Sequence, residues 1–190
     1  MKRIGIIGDG NVGSALARGL KRAGYDVRAT GKENVKETAA WGEIVILAVP
    51  FGAIDDALST MGDAINGKIV VDVTNALDAN MNLVLGCTNS GAEELQKKAQ
   101  NAKVVKAFNT VFAEHQDKGK VGDEVLTAFV ASDDDASRDA VLALAKDIGF
   151  DAVSAGPLQN ARWLETLGYL NIQLGYVVGL GTKTGFRYIH

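Results

Sequence analysis

The residues best placed to do chemistry in this chain are glycines. Gly8-Asp9-Gly10-Asn11-Val12-Gly13 has the form Gly-x-Gly-x-x-Gly, in which each glycine has a mechanical task. Gly8 permits a tight turn off a strand, Gly10 lets the backbone approach a pyrophosphate, and Gly13 lets a helix pack closely on a sheet. A helix that starts there presents free N–H groups and a partial positive charge to the diphosphate. The spacing alone is common, but here its context matches. The apolar run Arg3-Ile4-Gly5-Ile6-Ile7 precedes it, and residues 12–23 follow with Val12, Leu16 and Leu20 at helical spacing. Asp9, Asn11 and Val12 therefore belong to one phosphate-facing turn, and the unit is expected to hold a dinucleotide.

The end of the next strand selects the nucleotide. An NAD site wants a carboxylate there for the ribose 2′-hydroxyl, whereas this chain offers Thr30-Gly31-Lys32, a hydroxyl, a backbone amide and a cation. That set favours NADP over NAD. Glu33 lies just past the turn, and Asp26 comes too early in the strand to reach the ribose. Ala48-Val49-Pro50-Phe51 closes a further strand at the sheet edge where ligands bind in such folds. Phe51 reads either as a core aromatic or as a ring packed by the nicotinamide. Thr74-Asn75 and Ala107, Asn109 and Thr110 end two more strands with groups suited to a carboxamide or a substrate.

These groups must be held by alternating strands and helices. Runs of six residues at 3–8, 25–30, 44–49, 68–73 and 103–108 read as parallel-sheet strands buried on both faces. Ser90-Gly91-Ala92-Glu93 has the form of a capping box opening a helix to about residue 100. A strand at 125–131, a helix from 132 to 148, a short strand at 151–154 and a final helix from 158 to 180 complete the pattern. The expected architecture is α/β, an NAD(P)-binding Rossmann fold with a doubly wound, mainly parallel sheet. Residues 1–155 would form the dinucleotide-binding domain and 156–190 a small C-terminal helical part. Pro50 and Pro157, the only two prolines, stand at strand-to-helix junctions and mark no flexible linker.

At 190 residues, 47% hydrophobic and 23% charged, the chain has the composition of a folded soluble domain. A net charge of −3 gives no basic field for nucleic acid. No stretch of about eighteen uncharged apolar residues suggests a membrane span, so a cytoplasmic protein is expected. The lone Cys87 reads as a buried or half-buried small hydrophobe. The acidic residues 133–135 suit a helix N-terminus better than a metal, and His115, in Glu-His-Gln-Asp-Lys, reads as a solvated loop residue. No histidine-based metal centre is expected. There is also no Tyr-x-x-x-Lys pair, no Gly-x-Ser-x-Gly elbow and no Cys/His cluster. Hydride exchange between a nicotinamide and a flavin-like ring depends chiefly on stacking and alignment, so a small-molecule redox partner that is itself a cofactor fits this lack of an acid or base.

With these residues in view, the chain resembles the NADPH-dependent coenzyme F420 reductases across nearly its whole length. The matching stretches include Gly8 to Gly13, Ala48-Val49-Pro50-Phe51, Asp72-Val73-Thr74-Asn75, Val104-Val105-Lys106-Ala107-Phe108-Asn109-Thr110, Gly156-Pro157-Leu158 and Arg162-Trp163-Leu164-Glu165. It is similar also to the cytosolic reductase domain of the six-transmembrane metalloreductases, which pass hydride from NADPH to flavin and electrons onward to ferric iron. The resemblance implies NADP(H), a hydride acceptor such as coenzyme F420, FMN or FAD, a homodimer, and a helical C-terminal part covering the substrate side. On this basis the nicotinamide lies between Pro50-Phe51, Thr74-Asn75 and Asn109-Thr110, with the acceptor beneath Pro157 and Leu158 and no catalytic acid or base. Two departures stand out. F420 enzymes generally carry Ser-Arg-Arg where Thr30-Gly31-Lys32 stands, and a histidine and a proline near Asn109-Thr110-Val111-Phe112. A nucleotide-sensing module without turnover is the competing reading. A β-hydroxyacid dehydrogenase would need a larger helical domain than the residues after the last strand provide. The final helix, apolar beyond one stripe, suits burial against a second subunit or against its own core.

Overall fold

The computed structural model describes residues 2–190. A seven-stranded sheet runs through its centre. It begins with β1 (Arg3–Ile7), α1 (Asn11–Arg22), β2 (Asp26–Thr30), α2 (Val35–Trp41), β3 (Ile44–Leu47), α3 (Ile54–Met61) and β4 (Ile69–Asp72). There follow α4 (Gly91–Lys98), β5 (Lys103–Ala107), a hairpin of β6 (Lys120–Val121) and β7 (Glu124–Val125), and β8 (Thr127–Ala131). The last elements are α5 (Asp135–Ile148), β9 (Asp151–Gly156) and α6 (Ala161–Ile172). The spatial order is β2-β1-β3-β4-β5-β8-β9. The strands from β2 to β5 are parallel, β8 runs antiparallel to β5, and β9 is parallel to β8.

Burial on both faces accounts for the unbroken apolar strands. On one face Leu16 and Leu20 of α1 and Val141, Leu144 and Ile148 of α5 pack over Ile4, Ile6, Ile46 and Val105. On the other, Val35, Ala39, Ile54, Met61 and Leu95 of α2, α3 and α4 cover Ile7, Val45, Leu47 and Val70. Each sheet face is thus sealed by helices, as parallel pairing requires. The chain leaves β1 for β2 on one side and returns to β3 on the other. That reversal of direction is the topological switch point at which such sheets bind ligands.

Several local expectations are corrected. The strand expected at 125–131 is divided, because Val125 pairs in the hairpin with Lys120 and the sheet strand starts at Thr127. The helix expected to reach 180 ends at Ile172 and passes through one wider turn at Gln173–Val177, after which Gly179 and Gly181 adopt positive φ. The tail then folds back: the Thr127 N–H donates to the Phe186 carbonyl at 3.0 Å, and the Tyr188 N–H to Thr127 Oγ1 at 2.9 Å. This return buries His115, whose Nε2 stands 2.8 Å from the Thr182 carbonyl, so the residue is not a solvated loop histidine. Cys87 is exposed, in a long connection from β4 to α4 that has no helix to pack it. Among the described residues no helix is long and apolar enough to cross a membrane.

In the acidic run before α5, Asp134 caps that helix and Asp133 anchors the turn that leads to α6. Asp134 Oδ1 accepts from the Ser137 N–H at 2.8 Å, and Asp133 Oδ1 accepts from the Leu158 N–H at 2.9 Å. The hydroxyl and then the backbone N–H of Ser137, with Lys103, hold the Asp134 carboxyl down to about 2. Because this lies below the unfolded value, the associated stability is present above the ordinary carboxylate range and vanishes as the pH falls through about 2. Asp134→Ala is expected to lower the thermal midpoint at neutral pH. It should also lessen the further fall between about pH 4 and about pH 2, as followed by calorimetry.

Candidate functional site

At the switch point the carboxyl ends of β1, β2 and β3 enclose a cleft of 470 Å³. Gly8, Asp9 and Gly10 form one wall, Gly31 and Lys32 a second, and Ala48, Val49 and Pro50 a third, while Asp56 and Thr60 of α3 reach its rim. Eight residues singled out from the sequence therefore meet in one hollow.

The glycines are required there for separate reasons. Gly8 has φ +111°, and a Cβ on it would run into the Ala48 carbonyl. A Cβ on Gly13 would collide with the Gly8 carbonyl, so β1, α1 and β3 touch with no room for a side chain. Gly10 is different, because a Cβ there would meet nothing within 4 Å. Its bareness serves nothing inside the protein and leaves the backbone open to a close visitor. Gly10 also caps α1, its carbonyl accepting from the Ser14 N–H at 2.9 Å. α1 has no acidic residue in its first turn and carries Lys21 and Arg22 in its last. The positive end of its dipole at Asn11 and Val12 is left unopposed toward an anion.

The strand ends further along behave differently from expectation. Asn109 Nδ2 donates to Asn75 Oδ1 and to the Leu164 carbonyl, both at 2.8 Å, and Asn75 Nδ2 donates to the Asn109 carbonyl at 3.0 Å. The Thr110 carbonyl accepts from Asn171 Nδ2 at 3.1 Å. Gly168 lets α6 come this near, since a Cβ there would stand 2.7 Å from Asn75 Oδ1. Asn75, Asn109 and Thr110 thus bind α6 to the sheet. Among the described residues two buried polar atoms nearby, Thr74 Oγ1 and Asn109 Oδ1, have no partner. Phe51 is half-buried against Gly91, and Leu158, only 2% exposed, lies in the core beneath α3 and α4. A second hollow, of 390 Å³, opens beside the start of α1 and is lined by Asn11, Ser14, Arg18, Phe112, Glu114 and Tyr176.

The sequence reading missed the polar centre behind this edge. Lys106 is fully buried, and its Nζ donates to Asp72 Oδ2 at 3.0 Å, to Glu165 Oε1 at 2.8 Å and to the Thr74 carbonyl. All three of its donors are used. Glu165 also accepts from the Gly91 and Ala92 N–H groups at 2.9 and 3.2 Å, which ties α6 to the start of α4. Burial acts to lower the Lys106 pKa, but Asp72 and then Glu165 outweigh it and hold the value above that of an ordinary lysine. A lysine inside the apolar run Val104-Val105-Lys106-Ala107 was the available signal, since an unpaired ammonium cannot be buried there.

A glycine turn between a parallel strand and a helix, set at the switch point of a doubly wound sheet, defines a protein of the NAD(P)-binding Rossmann class. Residues 3–42 and 30–76 match the family model described as NADP oxidoreductase coenzyme F420-dependent. The F420-dependent NADP reductase of Methanocaldococcus jannaschii is 30% identical over 162 residues, covering 82% of this chain and 71% of that protein. Metalloreductase STEAP3 of Rattus norvegicus is 28% identical over 181 residues; the alignment takes in 87% of this chain but only 36% of the metalloreductase. A solved structure from Arthrobacter sp. FB24, provisionally named an F420-dependent NADP-reductase, superposes with a TM-score of 0.90 over the whole of both chains at 26% identity. The chain belongs to the family of F420-dependent NADP reductases, a family of NADP-dependent oxidoreductases.

Removing one member of a buried ion cluster leaves the others uncompensated. Lys106→Ala is expected to lose about 3–5 kcal/mol of stability in urea unfolding, well beyond what truncation of an exposed lysine costs.

Proposed function

We propose that this protein holds NADP(H) across the switch-point cleft and passes hydride to a deazaflavin of the coenzyme F420 type, or to a flavin such as FMN or FAD, in the cytoplasm. The observation that carries this reading is Gly10, bare of neighbours at the unopposed positive end of α1. The names of the relatives support the acceptor class. Bound nicotinamide supplies the hydride, and the acceptor takes it up together with any proton from water. The chain itself binds and aligns. Gly8 to Gly13 receive the diphosphate, and Thr30, Gly31 and Lys32 receive the adenosine ribose. Pro50, Thr74 and Asn75 mark the way toward the nicotinamide.

The acceptor belongs in the hollow between α1 and Phe112 rather than beneath Leu158, whose side chain has no open face. Phe112 and Tyr176 stand edge to face there, with centroids 5.6 Å apart, and offer a flat ring a lined wall. In this division of labour residues 1–155 bind the dinucleotide and 156–190 cover the acceptor side. The outer surface of α6 exposes Trp163 and Leu170 and continues to Val177, an apolar face suited to a homodimer. Sedimentation should give a dimer that Leu170→Glu dissociates.

The deciding experiment follows NADPH and NADH at 340 nm with coenzyme F420, FMN and a ferric chelate in turn. Turnover with one of them names the acceptor. Gly10→Ala should keep the thermal midpoint and weaken nucleotide binding about tenfold or more, because only the incoming diphosphate would meet the new methyl group. Tight nucleotide binding with no acceptor reduced would favour a sensing module instead.

A further inference from the structure

NAD and NADP differ at one position, the 2′ oxygen of the adenosine ribose, and Rossmann proteins read it at the end of the second strand. In this cleft a carboxylate reaches that place by another route. A methyl group built on Gly31 would stand 2.9 Å from Asp9 Oδ2 and 3.0 Å from Asp9 Oδ1. Asp9 thus comes from the glycine turn to lie against the residue that follows β2. The absence of a side chain at Gly31 and the presence of a carboxylate at Asp9 are one arrangement, since each occupies the room the other would need.

The remaining polar groups point the same way. The Thr30 hydroxyl donates its only hydrogen to the Glu33 carbonyl. Its oxygen is left able to accept but not to donate. Among the described residues the Asp9 carboxylate makes no hydrogen bond or ion pair within the chain, and Asp56 adds a second negative charge to the lining, against Lys32 alone. A ribose 2′-hydroxyl is a donor and suits two acceptors. A 2′-phosphate accepts only, and brings negative charge toward Asp9.

Resting on the reading that this cleft holds the adenosine ribose, we propose that Asp9 is a specificity-determining residue that accepts the 2′-hydroxyl and opposes the 2′-phosphate. The cleft then takes NADH at least as readily as NADPH, although the family is described by NADP.

The test is a titration of wild type and Asp9→Asn with NADH and NADPH, read by nicotinamide fluorescence. Adenosine 2′,5′-bisphosphate and AMP serve as competitors that lack the nicotinamide. Asp9 is exposed, so the isosteric change should leave folding intact. The expected result is comparable binding of the two nucleotides by wild type. In Asp9→Asn the NADPH-to-NADH affinity ratio should rise about tenfold or more, and adenosine 2′,5′-bisphosphate should tighten alongside NADPH. If both nucleotides bind and the ratio does not move, the role given to Asp9 is overturned while the cleft keeps its assignment. If neither nucleotide nor competitor binds wild type, the cleft assignment itself fails and this inference falls with it.

Discussion

A buried ammonium group has to be surrounded by partners, and Lys106 meets that demand by drawing four parts of the chain to one point. Asp72 comes from the end of β4, the Thr74 carbonyl from the loop beyond it, and Glu165 from α6, which in turn accepts from the first N–H groups of α4. None of these contacts is a hydrophobic one, and any one of them left unmade would strand charge in the interior. The cluster therefore sets where α6 lies across the carboxyl edge of the sheet. It also determines which strand-end groups stay open and which are covered.

That arrangement explains why the two halves of the carboxyl edge differ. Near β1, β2 and β3 the backbone turns are exposed and the hollow between them is empty of protein. Near β4 and β5 the amide groups of Asn75 and the Asn109 Nδ2 are engaged with each other and with α6, which covers them. The polarity of both groups is the same in kind; the difference lies in what packs on them.

The same difference governs how much was legible in the residues. The glycine turn, the parallel strands and the helix starts at Ser90 and Asp134 follow from local chemistry, and a short window contains all of it. The cleft walls at Gly31, Lys32 and Pro50 were also readable, because strand ends in a parallel sheet must lie on one edge. Long-range events were not readable. The pairing of Lys106 with Glu165 spans 59 positions, and burial of His115 depends on a tail 67 residues later. The approach of Asp9 to Gly31 was missed for a related reason: a carboxylate was sought along the second strand, whereas the turn after the first one delivers it.

The two hollows lie on either side of the start of α1. The lining of the larger one comes entirely from residues 7–60, while the smaller one, apart from three residues of α1, draws on residues 112–182. The two linings share no residue, and the intervening helix is pinned at Gly8 and Gly13, where a Cβ would collide with backbone. If the larger hollow holds the nucleotide and the smaller one the acceptor, as proposed, the choice of redox partner rests on a different stretch of chain from the grip on the nucleotide, and one can change without rebuilding the other.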